Sequence, residues 1–183
     1  MPLPSAKYFT VEESARTYLE KKRWPEGPVC PACGAEGGRR LARAPHSKTR
    51  NGLCQCAACR RQFTVTVGTL FEDAHTPLHK WLFAIYLICS SNKGISALQI
   101  QRELQLGSYR TAWLMCHRIR WALHRPPMSG LMKGIGYVPA SSRRPLRIPL
   151  PWDQAVVGLL KVTQEPRDRL KGDRKIGAKM ERR

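Results

Sequence analysis

Two stretches, Cys30-Pro-Ala-Cys33 and Cys56-Ala-Ala-Cys59, carry the pattern that decides how the first half of this 183-residue chain folds. Their spacing is C-x2-C-x22-C-x2-C, and such pairs present four thiolates to one tetrahedral Zn²⁺ from two knuckle turns. Gly34, directly after Cys33, suits a tight knuckle in which backbone amides turn towards sulfur. The pattern predicts one structural zinc ion per chain, held by Cys30, Cys33, Cys56 and Cys59, with no position left for water or substrate.

The alternative for these pairs is redox chemistry, but no thioredoxin-like βαβ pattern surrounds either of them. The chain has seven cysteines, and the three outside the pattern are interpreted as small buried hydrophobic residues: Cys54, Cys89 and Cys116. Three histidines stand near the module and are interpreted as solvated or helix-terminal, because four cysteines already satisfy the metal: His46, His75 and His79.

Short strands and turns are expected around the cysteines. Asn51-Gly52 is a turn signal, and residues 63–67 alternate between apolar and polar with the period of a strand. A helix is predicted before them, over about residues 11–23, because Thr10-Val-Glu-Glu13 has the spacing of a capping box. These features predict a zinc ribbon with an N-terminal helix over residues 8–72.

Three helices are predicted in the next segment, residues 76–125. The first begins at Thr76-Pro77, with Thr76 as N-cap and proline as the first helical residue, and its apolar residues recur at helical spacing. The second is short and begins at Ser96, which has the spacing of a capping box with Gln99. Gly107 is expected to end it.

The third helix is predicted to begin at the N-cap Ser108 and to end at Pro126. Its buried stripe is expected to be Ala112, Cys116, Ile119 and Leu123. A short helix, a turn and a longer helix have the proportions of a helix-turn-helix. The alternative from the pattern alone is an ordinary helical hairpin with a solvated basic face.

The face of the third helix opposite this stripe is basic and aromatic, and it carries Arg110, Leu114, His117, Arg118, Trp121 and Arg125. In a helix-turn-helix the N-terminal part of the second helix meets base edges in the major groove. The residues expected to bind DNA there are Tyr109, Arg110, Thr111 and His117, while Arg118 and Arg125 are expected to contact phosphate.

Charge supports nucleic acid as the partner. The chain carries 32 Lys+Arg against 13 Asp+Glu, a formal net charge of +19. The longest apolar run, Trp81 to Cys89, is nine residues, well short of the about 20 needed to cross a bilayer. No secretory signal or lipidation motif is visible. We expect a cytoplasmic protein associated with the nucleoid, with double-stranded DNA as its partner and no membrane contact.

The amino-acid composition of the chain changes at Pro126-Pro127. Residues 126–183 hold 13 basic and 5 acidic side chains, and much of the segment is rich in Gly, Pro, Ser and Arg. A short helix is predicted near residues 153–162, capped by Asp153. The overall prediction is an α+β chain: a small zinc ribbon with an N-terminal helix, a helix-turn-helix unit, and a largely irregular basic tail.

Ordered motifs cover residues 8–125: residues 24–34 around the first cysteine pair, 56–69 around the second, and then 81–86, 93–99 and 109–120 in the helices. This order resembles the N-terminal half of a bacterial insertion-sequence transposase, in which a zinc ribbon precedes a helix-turn-helix and a DDE-type nuclease. The resemblance implies binding to the terminal inverted repeats of the element.

The sequence departs from that family after the third helix. Members continue into a nuclease strand with an acidic residue in a Val-Asp-Glu-Thr-like motif, but residues 129–137 here contain no carboxylate. A two-metal nuclease needs separated carboxylates, whereas the acidic residues beyond Glu103 are crowded into one short span: Asp153, Glu165, Asp168, Asp173 and Glu181. No catalytic residue is assigned, and the chain is expected to be inactive alone.

The sequence therefore predicts a truncated transposase that recognises inverted repeats without cutting DNA, with intact transposase or a second copy of itself as a further partner. Three alternatives remain open. The first is a domesticated transcriptional regulator, and the second is one half of a split transposase whose catalytic half is encoded separately. A degenerate reading frame with no selected role is a third.

Overall fold

The computed structural model describes residues 6–40, 51–135 and 145–162. His46, Glu165, Asp168, Asp173 and Glu181 lie outside the described residues, as does much of the predicted tail. The mixed α+β class is confirmed. A 3-10 helix at Lys7–Phe9 is followed by α1 (Glu12–Arg23), β1 (Arg39–Arg40), β2 (Cys54–Gln55), β3 (Gln62–Phe63), α2 (Leu78–Ser90), α3 (Ala97–Glu103), α4 (Tyr109–Leu123), α5 (Met128–Gly134) and α6 (Trp152–Lys161).

The strands form one antiparallel sheet in the order β1-β2-β3, with only two residues in each strand. This sheet and the two cysteine turns are called the ribbon (residues 28–40 and 51–67). The strand expected over residues 63–67 ends at Phe63, and turns follow it. The reason lies in α1, because the Arg23 guanidinium donates to the carbonyls of Val65 at 2.6 Å and Val67 at 2.8 Å.

The capping box predicted at Thr10 does not form. The N-cap of α1 is Val11, and the Thr10 hydroxyl instead donates to the Lys7 carbonyl at 3.3 Å, at the end of the 3-10 helix. The first turn still has the charge that a helix N-terminus favours, since Glu12 and Glu13 both lie in it.

The starts of α3 and α4 follow the predicted signals, whereas those of α2 and α6 do not. Ser96 caps α3 by accepting from the Gln99 amide at 3.2 Å, and Ser108 caps α4 by accepting from the Arg110 amide at 3.2 Å. Helix α2 begins one residue later than predicted, because Pro77 has an extended ψ of 146° and is itself the N-cap. The N-cap of α6 is Pro151 rather than the predicted Asp153, which lies in the first turn without capping it.

The chain changes direction between α3 and α4 in a way that differs from the prediction. Helix α3 ends at Glu103, and Gln105 takes the left-handed conformation with φ 49°. Gly107, which is predicted to end the helix, lies four residues beyond it and has no left-handed φ. The turn is closed by the Leu106 amide, which donates to the Gln101 carbonyl at 3.0 Å. The buried side chain of Leu106 explains the reversal, since it anchors the turn in the core.

The buried stripe predicted for the third helix is confirmed, because Ala112, Cys116, Ile119 and Leu123 are all buried. Residues 145–162 join this core, which the sequence did not indicate. Leu146 pairs with Ile95 in an isolated antiparallel bridge, and α6 packs against α1, α2, α4 and α5. None of the helices that the structure describes is long and apolar enough to cross a membrane.

Candidate metal centre and nucleic-acid surface

Two turns of matching geometry bring the cysteine pairs together. In the first turn the Gly34 amide donates to the Cys30 carbonyl at 2.9 Å, and in the second the Arg60 amide donates to the Cys56 carbonyl at 3.2 Å. Gly34 and Arg60 both have a left-handed backbone, with φ values of 73° and 61°. The structure thus contains the two knuckles that the spacing predicted, although the second one has arginine where glycine would be unstrained.

The four thiols of these knuckles converge on one point. The Sγ atoms of Cys30, Cys33, Cys56 and Cys59 all lie within 4.8 Å of one another. The Cys30–Cys59 pair is 3.7 Å apart and the Cys33–Cys56 pair 3.5 Å. Four sulfurs at about 2.3 Å from a tetrahedral Zn²⁺ lie about 3.8 Å from one another. The cluster therefore fits one structural zinc ion, as predicted.

Proton affinities in the cluster show why a cation suits it. The backbone N–H of Cys59 points at the Cys56 sulfur, at 3.5 Å, and lowers the pKa of Cys56 to about 6. The pKa of Cys33 is raised to about 11, because the thiols of Cys56 and Cys59 outweigh the Ala35 amide that stabilises its thiolate. Metal ligation requires thiolates, so Zn²⁺ supplies the positive charge that lets all four ionise together.

The cysteines outside the cluster are packing residues, as predicted. Cys54 is buried on β2, and its sulfur lies 4.0 Å from the Gly52 carbonyl oxygen. Burial raises the pKa of Cys89 to about 12 and that of Cys116 to about 11. Thiols with such high pKa values are poor nucleophiles and poor metal ligands at neutral pH.

The two described histidines near the ribbon do not join the cluster. His79 lies in the first turn of α2, where its Nδ1 is 3.0 Å from a carboxylate oxygen of Glu12. His75 is exposed in the loop before that helix. His79 therefore links α2 to α1, which agrees with the helix-terminal interpretation.

Three of the predicted base-reading residues lie in the first turn of α4, and the fourth, His117, lies about two turns further along the helix. Tyr109 and Arg110 are exposed, while Thr111 and His117 are half-buried. Burial, followed by the nearby positive charge of Arg120, lowers the pKa of His117, so its imidazole is neutral at pH 7. A neutral imidazole offers one donor and one acceptor rather than a charge.

The two predicted phosphate contacts differ in placement. Arg125 is exposed just beyond α4, and its guanidinium lies 4.9 Å from the centre of the Trp121 ring. Arg118 turns towards the ribbon side of the molecule instead, where it donates to the Glu72 carbonyl at 2.6 Å and lies 5.8 Å from the Trp81 ring centre. Arg118 therefore joins α4 to the segment after the ribbon, which differs from the predicted phosphate contact.

The sequence pattern did not identify two groups of surface residues. Trp113 is 42% exposed on the outward face of α4, and the helical wheel that singled out Arg110 places it on the same side. Across the ribbon sheet, Arg39, Gln55 and Gln62 are register neighbours on successive strands. Their alignment depends on the pairing register, which two-residue strands do not reveal in sequence.

Acidic residues are absent from long segments around both sites. Residues 37–71, which include most of the ribbon, contain seven Lys+Arg and no Asp or Glu. Residues 104–152, which include α4 and α5, contain eight Lys+Arg and no Asp or Glu. Both segments therefore carry positive charge that no acidic residue within them offsets.

Comparison with known proteins agrees with the geometry of the cluster. Residues 11–62 match the transposase zinc-ribbon domain of the IS1595 type, a span that includes α1, β1, β2, the first residue of β3 and all four clustered cysteines. Residues 11–62 are therefore similar to a transposase zinc-ribbon domain. The resemblance to the N-terminal part of an insertion-sequence transposase is thereby confirmed for the ribbon.

Similarity extends beyond this zinc-ribbon domain. The chain is 32% identical over 120 residues, 66% of its length, to a protein described as "Uncharacterized protein in transposable element ISH50" from Halobacterium salinarum. That organism is archaeal, so the likeness is not confined to bacteria. The matched region is 38% of the relative's length. No solved structure matches the chain.

Proposed function

We propose that this chain binds double-stranded DNA in a sequence-specific manner, with α4 lying in the major groove. The observation that carries the proposal is the outward face of α4, where Tyr109 and Arg110 are exposed on a helix that contains no carboxylate. Helix α3 packs against α4, and a short turn joins the two helices, which supports a helix-turn-helix. The likeness to a protein in a transposable element supports terminal inverted repeats as the target.

The residues of α4 divide into two roles. Arg110 follows the Ser108 cap at the second helical position, where the helix N-terminus approaches base edges, and its guanidinium suits guanine O6 and N7. Tyr109, Thr111 and His117 supply hydroxyl and imidazole groups on neighbouring turns. Arg125 lies at the far end of the helix and serves a phosphate, which positions the protein without reading sequence.

The ribbon adds a second basic surface to the same molecule. Its sheet presents Arg39, Gln55 and Gln62 across three strands, and no acidic residue lies between residues 37 and 71. Amide and guanidinium side chains both bind phosphate and base edges. The ribbon therefore offers a second surface for phosphates and base edges, in addition to α4.

The proposal is tested by selecting a duplex from a random library with the zinc-loaded chain and titrating it against a scrambled duplex at two salt concentrations. Arg110→Ala should lose about 1–3 kcal/mol of preference for the selected sequence. Arg125→Ala should weaken both duplexes alike and reduce the salt slope by about one unit.

Lys21→Ala is the matched control, because it removes one exposed positive charge from α1 rather than from α4. It should preserve the sequence preference. The proposal is wrong if the library yields no enriched sequence, or if Arg110→Ala and Lys21→Ala have the same effect on preference.

Occupation of inverted repeats would have a consequence in the cell. A chain that covers these repeats competes there with an intact transposase and is retained on the nucleoid. A transcriptional regulator that uses the same surface would instead occupy promoters outside any insertion element, so mapping bound sites on the chromosome distinguishes the two.

A further inference from the structure

Three large apolar side chains are exposed on the outward face of α4. Tyr109 is 50% exposed, Trp113 42% and Leu114 46%. They lie within the first two turns of the helix, around Arg110. Exposed apolar side chains that cluster in this way mark a contact surface, whereas singly scattered ones do not. A partner that covers this face must therefore match apolar groups as well as a positive charge.

The face is partly organised before any partner arrives. The Trp113 ring lies 3.8 Å from the His117 ring, centre to centre, at an angle of 37°. Because burial and Arg120 keep the imidazole neutral at pH 7, the pair presents an uncharged, largely apolar surface. A ring held by its neighbour loses less conformational entropy on binding.

Charge decides between DNA and a second copy of this chain. In a symmetric contact, α4 would meet α4, and Arg110 would have no carboxylate from the opposing helix, since none of residues 109–123 is acidic. The DNA major groove offers both required groups at once. Its phosphates and guanine acceptors suit Arg110, and the thymine 5-methyl group is the apolar group displayed there.

We propose that Trp113 and Leu114 recognise thymine through its 5-methyl group, in the groove that α4 enters. The inference rests on the proposed DNA binding and adds a specificity that hydrogen bonds alone do not give. Arg110 and the apolar pair then read adjoining base pairs, one by hydrogen bonding to guanine and the other by van der Waals contact with thymine.

The test replaces each thymine of the selected duplex in turn with deoxyuridine, which removes only the methyl group. For the unmodified protein, affinity should fall about fourfold at one or two positions, the effect of exposing one buried methyl group. Leu114→Ala and Trp113→Ala should bind the thymine and deoxyuridine duplexes equally well. Trp113→Phe should retain part of the difference.

Leu98→Ala is the control, because Leu98 is similarly exposed, at 46%, but lies on α3. It should keep the full response to deoxyuridine. Since all of these side chains are exposed, each variant should keep the melting temperature of the parent, and this is measured first. If Leu114→Ala melts early, the milder Leu114→Thr replaces it; if Trp113→Ala melts early, Trp113→Phe replaces it, with a reduced rather than abolished difference as the expected result.

Several outcomes overturn the inference. One is a parent protein that is indifferent to deoxyuridine at every position, and another is a selected site without a common thymine. If sedimentation shows a dimer that Trp113→Ala dissociates while DNA affinity is unchanged, a second copy covers the face instead. A library that yields no enriched sequence contradicts the proposed function itself, and the inference falls with it.

Discussion

The ribbon and the helical unit formed by α2 to α6 are stabilised by different means. The largest fully buried side chains of the described chain lie on the helices or directly after the ribbon, and none lies within it: Phe71, Leu19, Leu70, Leu82, Ile85, Ile88, Ile100, Met115, Ile119, Leu123, Met128 and Met132. The ribbon interior consists largely of cysteine sulfur, with Phe63 and Val65 beside it. Its strands are two residues long.

This difference shows that the folding free energy of each half has a different source. Each fully buried Leu, Ile or Met contributes about 1.5–3 kcal/mol in the helical unit. A sheet of two-residue strands cannot gain enough in this way, because short isolated strands are marginal in water. The ribbon must therefore draw its stability from metal ligation, which supplies about 10–16 kcal/mol in small zinc domains.

Breaking the metal centre should produce the largest effect and should affect one half of the molecule. Cys56→Ala removes one of the four ligands, so we expect loss of bound zinc and unfolding of the ribbon while α2 to α6 keep their helicity. Metal analysis measures the zinc bound per chain. Limited proteolysis shows whether the ribbon is cleaved while the helices stay protected.

Cys54→Ala is the matched control, because Cys54 is buried on β2, two residues before Cys56, but is not in the cluster. It should retain one zinc per chain and lose only about 1 kcal/mol through packing. Zinc loss in Cys54→Ala, or zinc retention in Cys56→Ala, would contradict the assignment of ligands.

The reverse experiment weakens the helical unit and leaves the metal in place. Ile119 is fully buried on α4, and Ile119→Ala should cost about 2–5 kcal/mol because it leaves a cavity. Leu114→Ala on the exposed face of the same helix should change stability by less than about 0.5 kcal/mol. Urea unfolding measures both, and equal effects would show that α4 is not packed as described.

A smaller effect is expected where the two halves meet. Arg118→Ala removes the hydrogen bond to the Glu72 carbonyl and the contact with Trp81. A hydrogen bond from a charged group contributes about 1.5–3 kcal/mol, so the melting temperature should fall. Arg110→Ala, which removes an exposed arginine from the same helix, should leave it unchanged. If Arg118→Ala is equally neutral, the junction is not held by this residue.

The sequence predicted the parts of the molecule that local chemistry determines. The cysteine spacing identified all four thiols of the cluster, since knuckle geometry is set within five residues. Ser96 and Ser108 marked the starts of α3 and α4 because a cap requires only a side-chain oxygen and an amide two or three residues later. The apolar period of α4 identified its buried stripe.

The parts that depend on distant partners were not predictable. The strand predicted over residues 63–67 ends at Phe63, because the Arg23 guanidinium donates to the carbonyls of Val65 and Val67. These carbonyls lie 42 and 44 residues away along the chain. Arg118 has the sequence position of a phosphate contact, yet its partner Glu72 is 46 residues distant. The packing of residues 145–162 on the helices likewise depends on long-range pairs such as Ile95 with Leu146.

The smallest effect compares the two knuckles within the ribbon itself. Gly34 and Arg60 occupy equivalent positions with left-handed φ values of 73° and 61°. A side chain in this region costs about 1–2 kcal/mol, from which glycine is exempt. Gly34→Ala should therefore destabilise the zinc-loaded ribbon by about 1 kcal/mol through backbone strain alone, because an added Cβ would meet nothing within 4 Å.

Arg60→Gly should have the opposite sign. It relieves the backbone strain of the second knuckle. Glycine also raises the conformational entropy of the unfolded chain, which offsets part of this gain, so about 0.5 kcal/mol of net stabilisation remains. Gly107→Ala is the control, since that glycine also has open space around it but no left-handed φ, and it should stabilise slightly. Urea midpoints of the zinc-loaded variants decide the matter. If Gly34→Ala and Gly107→Ala shift the midpoint in the same direction, backbone conformation does not distinguish these positions, and the equivalence of the two knuckles is incorrect.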